Sequence, residues 1–217
     1  MYKMKLVYFN GRGLAETSRM ILALGKQDYE DYRYPLEIID FATHNMVKEE
    51  FDSDKSDGKL SSSMNKLPYL EVEGKLLCQS KSIERFLARK FGMFGNDEWE
   101  ATRIDSIAEC VRDFKDMYQK VRKADNKEEA MIEWFTVTLV EKLSLLENLL
   151  DGEGFSVGDK TSLSDVVLFS FITQFFDDKS ASLNSTLATP KLRSIIDRVA
   201  SLPEIVSWIE ARPETSF

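Results

Sequence analysis

Asn65-Lys66-Leu67-Pro68-Tyr69-Leu70-Glu71-Val72-Glu73-Gly74-Lys75-Leu76-Leu77-Cys78-Gln79-Ser80 reads as a proline-anchored hairpin that runs into a helix. Tyr69 to Val72 alternates β-forming residues, Glu73-Gly74 has the character of a short hairpin turn, and Lys75 to Leu77 resumes the strand. The hairpin is the expected edge of a small sheet. Beyond it Ile83, Phe86, Leu87 and Phe91 recur at helical spacing, so Gln79 and Ser80 fall at a helix N-terminus, where unpaired backbone N–H groups collect anions. A ligand carboxylate is expected to dock there.

Upstream, Lys5 to Phe9 is a short strand, Asn10-Gly11-Arg12-Gly13 a turn, and Leu14, Ser18, Ile21 and Leu22 one face of a helix closed by Gly25. Asp31 to Tyr34 offers a second strand. The polar segment from Asp40 to Ser63 predicts an extended loop with one helical turn around Met46 to Glu50. The order is therefore β-α-β, loop, β-β-α. After Gly92-Met93-Phe94-Gly95 the pattern changes. Ile104, Ile107, Ala108, Val111, Tyr118 and Val121 predict one long amphipathic helix, and Phe135, Leu139, Leu143, Leu146 and Leu150 a second. Ser162-Leu163-Ser164-Asp165 has the form of a capping box, and Pro190 and Pro203 each suit a first helical turn. The chain divides into an α/β part, residues 1–92, and an all-α part, residues 93–217.

With 217 residues the chain buries roughly 70% of its unfolded surface without needing a covalent staple. Its net charge of −8 argues against nucleic acid as a partner, since such binders concentrate Lys and Arg. Met1-Tyr2-Lys3-Met4 leads straight into a strand, with neither an apolar leader nor a long apolar span, so a cytoplasmic protein with no membrane partner is expected. Cys78 and Cys110 form no Cys-x-x-Cys and indicate no disulfide or zinc site. Cys78 is expected to face the sheet and Cys110 the core of a helix pair. His44, the only histidine, stands in a polar loop without metal-ligating company and reads as a surface residue.

Tyr8 ends the first strand just ahead of the glycine-containing turn, where a side chain can reach a ligand lying along a sheet edge. Read alone it is a strand-end aromatic packed in the core. Taken together, however, Tyr8-Phe9-Asn10-Gly11-Arg12-Gly13-Leu14-Ala15-Glu16, Leu67-Pro68, Gln79-Ser80 and the Ser162–Asp165 box resemble the cytosolic glutathione transferases along essentially the whole chain. The nearest likeness is to the sigma class, which includes glutathione-dependent prostaglandin D synthases and S-crystallins.

The resemblance implies a thioredoxin-like N-terminal domain of β-α-β-β-β-α type with a cis-Pro at Pro68, and a helical domain that walls the site of a hydrophobic electrophile. Glutathione is the implied co-substrate, with no metal. Tyr8 takes the catalytic position, its hydroxyl favouring the glutathione thiolate. Leu67 pairs its backbone with the cysteinyl unit beside Asn65 and Lys66, and Gln79 and Ser80 hold the γ-glutamyl carboxylate. Phe41 and Lys48 match the residues that reach the glycyl end, and Asp105 of the partner subunit the γ-glutamyl amine, which implies a homodimer. Arg12 reads as an ion-pairing residue that fixes the turn. Phe114, Met117 and Tyr118 either line the electrophile pocket or belong to the core. Two departures stand out: Leu14 occupies the place of a sigma-class arginine, and Ser63-Met64-Asn65 replaces the family's Pro-Phe-Gly. Besides conjugation, the resemblance allows a glutathione-dependent isomerase or a non-catalytic ligand carrier. A thiol-disulfide oxidoreductase is disfavoured, because no cysteine follows the first strand.

Overall fold

The computed structural model describes residues 2–40, 45–151 and 154–215. Two compact units result, Met1–Leu87 with Trp208–Phe217, and Ala88–Ser207. The division falls five residues before the boundary expected from the sequence and returns the last ten residues to the first unit.

The first unit is built on β1 (Met4–Phe9), where Leu6 and Val7 point to opposite faces and both are fully buried. A strand of this kind belongs in the middle of a sheet. It pairs in parallel with β2 (Glu30–Tyr34) and antiparallel with β5 (Tyr69–Val72), which pairs with β6 (Lys75–Cys78), giving the order β2-β1-β5-β6. The parallel pair requires a crossover, and α1 (Glu16–Leu24) supplies it. Glu73 and Gly74 join β5 to β6 with φ values of 50° and 77°, the two positive angles that a tight hairpin turn of matching twist demands. Helix α3 (Ser80–Lys90) follows directly, burying Ile83 and Leu87.

The polar stretch between β2 and β5 is more ordered than an extended loop. Strands β3 (Glu37–Asp40) and β4 (Asn45–Val47) form a separate two-stranded sheet, and α2 (Glu49–Ser56) runs two turns. Phe51 alone explains the helix. It is the one large apolar residue in Glu49–Ser56, and it joins Val7, Tyr34 and Leu60 in a buried cluster against which Phe9, Tyr32, Leu67 and Tyr69 pack. One anchor leaves no periodicity in the sequence, so this helix is visible only through its tertiary contact.

In the second unit, α4 (Glu98–Val121) starts at Asp97, whose carboxylate accepts from the Glu100 N–H at 2.9 Å. The expected second long helix is interrupted: α5 (Lys127–Glu133) passes through a π turn, Trp134–Thr138, into α6 (Leu139–Glu147). Helix α7 (Leu163–Ser170) begins with the capping box, Asp165 accepting from the Ser162 N–H at 2.7 Å and from the Ser156 N–H at 2.6 Å. A π turn at Phe171–Phe175 leads to α8 (Lys179–Asn184), and α9 (Pro190–Ala200) and α10 (Pro203–Ala211) both start on their prolines. Tyr118 stands among Trp134, Phe135, Phe175 and Phe176 with ring centroids 4.8 to 6.1 Å away, while Phe114 meets Phe171. Phe114 and Tyr118 are thus core residues. Met117 instead lines a cavity of about 340 Å³ with Lys120, Val121, Ala130, Glu133, Trp134 and Thr138.

Candidate active site

The strand register gathers the predicted residues. Val7 lies opposite Tyr69 and Tyr69 opposite Cys78, so the next residue along each strand's continuation, Tyr8, Pro68 and Gln79, falls at the same end of the sheet. Residues 71 positions apart come to the same end of the sheet, on either side of β5, because an antiparallel register, once set, aligns the pairs that follow. The Leu67–Pro68 bond is cis, as the resemblance implied. The chain reaches it through Met64 and Asn65, both left-handed with φ of 58° and 56°, and Asn65 donates its N–H to Leu60 O at 2.9 Å. Asn tolerates this conformation better than most residues, which lets Asn65 stand where the family pattern has glycine.

Tyr8 is 9% exposed. Its hydroxyl oxygen accepts the Leu14 N–H at 3.2 Å, and Gly13 has φ +36° and leaves the space that the hydroxyl occupies. With an acceptor lone pair engaged by a backbone donor, the hydroxyl's own proton is available to a ligand. Burial pushes the Tyr8 pKa up, opposed in part by the Leu14 N–H and the nearby Arg19 guanidinium, so the group is a neutral phenol at physiological pH. The residue at position 14 therefore meets Tyr8 through its backbone, while the Leu14 side chain is half exposed.

Gln79 is exposed and left-handed, with φ +74°, and its carbonyl accepts the Ile83 N–H at 3.0 Å, which makes it the residue that starts α3. A non-glycine residue in this region costs on the order of 1–2 kcal/mol. Such strain marks functional positions more often than others. Ser80 follows as the first helical residue.

The remaining candidates are placed less centrally. Lys66 is exposed on the turn before Leu67. Lys48 immediately precedes α2 and its ammonium contacts Asp52 at 2.6 Å, above the Phe51 ring. Phe41 and His44 lie outside the described residues. Asp105 is half-buried on α4, in the second unit. Cys78 and Cys110 are both free and half-buried.

Sequence reasoning missed a set of charges behind Tyr8. Arg19 is fully buried; it donates to Gly11 O at 2.6 Å and to Asp31 at 3.2 Å, and Asp31 also pairs with Arg33 at 2.7 Å. Glu16, 2% exposed, accepts from Trp208 at 2.9 Å and from Arg212. Nothing in a linear sequence distinguishes these from surface charges on an amphipathic helix.

A mixed four-stranded sheet with a cis-proline hairpin, a strand-end phenol and a helix N-terminus at one end, followed by a helical unit, defines the class of glutathione-using transferases with a thioredoxin-like domain. Comparison with known proteins agrees. The family model for the glutathione S-transferase N-terminal domain matches residues 4–89 and that for the C-terminal domain residues 112–212. The chain is 32% identical to "Probable glutathione S-transferase 5" of Caenorhabditis elegans over the full length of both. It is 32% identical to the hematopoietic prostaglandin D synthase of Gallus gallus, over 98% of each chain. The crystal structure of a glutathione S-transferase of the hookworm Necator americanus, described as monomeric, superimposes with a TM-score of 0.82 at 30% identity, covering 99% of this chain and 100% of that one. The chain belongs to the glutathione S-transferase family.

Proposed function

We propose that the protein conjugates glutathione, through its thiolate sulfur, to small apolar electrophiles, with Tyr8 stabilising the thiolate. The observation that carries this is the Tyr8 hydroxyl, held by the Leu14 N–H with its own proton uncommitted, at the same end of the sheet as Pro68 and Gln79. A free thiol of pKa near 8.5 is only a few per cent ionised at neutral pH. A hydrogen bond to a charged group contributes about 1.5–3 kcal/mol, enough to lower that pKa by roughly one to two units. Tyr8 can supply it because burial keeps the phenol protonated. Attack on the electrophile then proceeds from a thiolate already held in place.

Glutathione is held along the edge at Leu67 by backbone pairing, with Asn65 and Lys66 beside it, and its γ-glutamyl carboxylate rests on Gln79, Ser80 and the start of α3. Phe41 and Lys48 take the glycyl end, and Asp105 of the partner subunit the amine, in a homodimer. We assign the chain to the sigma class, as a cytoplasmic detoxification enzyme. The test is conjugation of glutathione to 1-chloro-2,4-dinitrobenzene by wild type and Tyr8→Phe. A roughly 10- to 100-fold loss of kcat is expected, with glutathione still bound. Full activity in Tyr8→Phe would remove Tyr8 from this role.

A second reading follows from the similarity to the prostaglandin D synthase of Gallus gallus: an isomerase that regenerates glutathione. The same Tyr8 chemistry serves both. They separate by stoichiometry, since conjugation consumes one glutathione per turnover and isomerisation of a prostaglandin endoperoxide consumes none. A non-catalytic carrier would bind immobilised glutathione and turn over neither class.

A further inference from the structure

Glu16 opens α1 and is buried, yet one of its carboxylate oxygens is held by two donors from the far end of the chain, Trp208 Nε1 and an Arg212 guanidinium nitrogen. Its other oxygen faces Arg19 Nη1 at 3.6 Å. From Arg19 the contacts continue to the Gly11 carbonyl at 2.6 Å, in the turn whose next residues include Gly13 and Leu14. Those two shape the surroundings of the Tyr8 hydroxyl, Gly13 by leaving space and Leu14 by donating its N–H. The Arg19 guanidinium carbon is also 6.0 Å from the centre of the Tyr8 ring. A series of contacts thus runs from residues 208 and 212 through Glu16 and its longer ion pair with Arg19 to the Gly11 carbonyl, and from there along the backbone of the turn to the Leu14 N–H and the Tyr8 hydroxyl.

Burying a carboxylate against two guanidinium groups carries a desolvation cost that apolar packing between the same two helices would avoid. What the polar arrangement supplies instead is direction, since each donor fixes the orientation of the next acceptor. We infer that Trp208 and Arg212 are positioning residues for Tyr8, acting through Glu16, Arg19 and the Gly11 carbonyl to hold the turn that presents the Leu14 N–H. The inference rests on Tyr8 being the thiolate stabiliser. Loosening the series lets the turn relax and the hydroxyl rotate, while the hairpin and the start of α3 still hold glutathione. The loss therefore falls on kcat and on ionisation of the bound thiol, and not on glutathione KM. The charged or titratable groups around Arg19 include Tyr8, Glu16, Asp31, Arg33, Arg212 and Tyr29. Among them Tyr29 is shifted upward, away from neutral pH, by its burial and then by Asp31.

The test is a double-mutant cycle of Trp208→Phe with Tyr8→Phe, reading kcat, glutathione KM and the pH dependence of thiolate absorbance of enzyme-bound glutathione. Trp208→Phe keeps an aromatic ring and removes the indole donor. Alone, it is expected to lower kcat about three- to tenfold and raise the bound thiol's pKa by roughly half to one unit, leaving KM within about twofold. In the Tyr8→Phe background it is expected to have no further effect, because both act through one hydroxyl. Equal losses in both backgrounds, or a lowered melting temperature with an unchanged thiol pKa, would overturn the inference in favour of a purely structural contact. If Tyr8→Phe alone leaves kcat and the thiol pKa unchanged, the thiolate assignment fails on its own measurement and the inference falls with it. Glu16→Gln and Arg212→Lys provide the same cycle should Trp208→Phe not fold.

Discussion

Gly13 and the Tyr8 hydroxyl share a space that a single carbon would fill: a Cβ on Gly13 would stand 2.5 Å from Oη, and the residue has φ +36°. Gly13→Ala must therefore displace either the phenol or the turn, and it adds left-handed strain. Stability should fall by about 1–3 kcal/mol and conjugation activity at least roughly tenfold. Urea unfolding and the dinitrobenzene assay measure the two. A fully active alanine variant would mean that the observed position of Tyr8 is not the working one.

In the proposed role, Gln79 sets stability against binding. Glycine adopts φ +74° without strain, so Gln79→Gly should leave the melting temperature unchanged or raise it, for a gain of up to about 1 kcal/mol. Glutathione affinity should fall by about tenfold as the side-chain contact is lost. Calorimetric titration separates the possibilities, and undiminished affinity would assign the contact to the backbone alone.

Phe51 is the sole apolar anchor of α2. Its truncation to alanine opens the cluster with Val7, Tyr34 and Leu60, and should cost about 3–5 kcal/mol. Amide hydrogens of residues 49–56 should exchange first, ahead of those in β1. Uniform loss of protection across both segments would show that α2 is no separate unit.

Tyrosines govern the alkaline limit. Burial first, and neighbouring carboxylates second, raise Tyr29 and Tyr118, the latter to about 12, while a hydrogen bond to Glu50 raises Tyr32 to about 12. Tyr8 and Tyr34 are also raised, mainly by burial. A phenol whose folded pKa exceeds its unfolded value of 10.0 contributes stability that is whole below pH 10 and is lost as pH rises through the folded value. Stability should therefore fall between about pH 10 and 12 as tyrosinate absorbance rises. Conjugation should climb with thiol ionisation and show no descending limb below pH 10. Native-state titration of these tyrosines at their ordinary value would contradict both.

Much of the fold was legible in the residues themselves, and so were the residues of the candidate site. The Glu73-Gly74 turn, the prolines at 190 and 203 and the Ser162–Asp165 box are local signals, each satisfied by groups within a few residues, and the structure uses all of them. Of α2 only a single turn was legible, placed too early, over Met46 and Val47 that belong to β4, and the β3–β4 pair was not legible at all. Their stability comes from one buried phenylalanine and a short ladder, which leave no period in the chain. The π turn that interrupts the expected second long helix is likewise silent, because an apolar repeat tolerates one widened turn.

By itself the sequence determined several of the turns, the starts of the proline- and box-capped helices and which residue types stand ready at Tyr8, Leu67-Pro68 and Gln79-Ser80. Those are short-range properties of backbone and side chain. Only the tertiary structure decided that these three points share one end of the sheet, because strand register is a relation between distant residues. It alone also decided that Leu14 serves Tyr8 through its N–H, and that Glu16, Arg19, Trp208 and Arg212 are buried together behind the turn. Charge and hydrogen bonding depend on surroundings, and surroundings are set by packing.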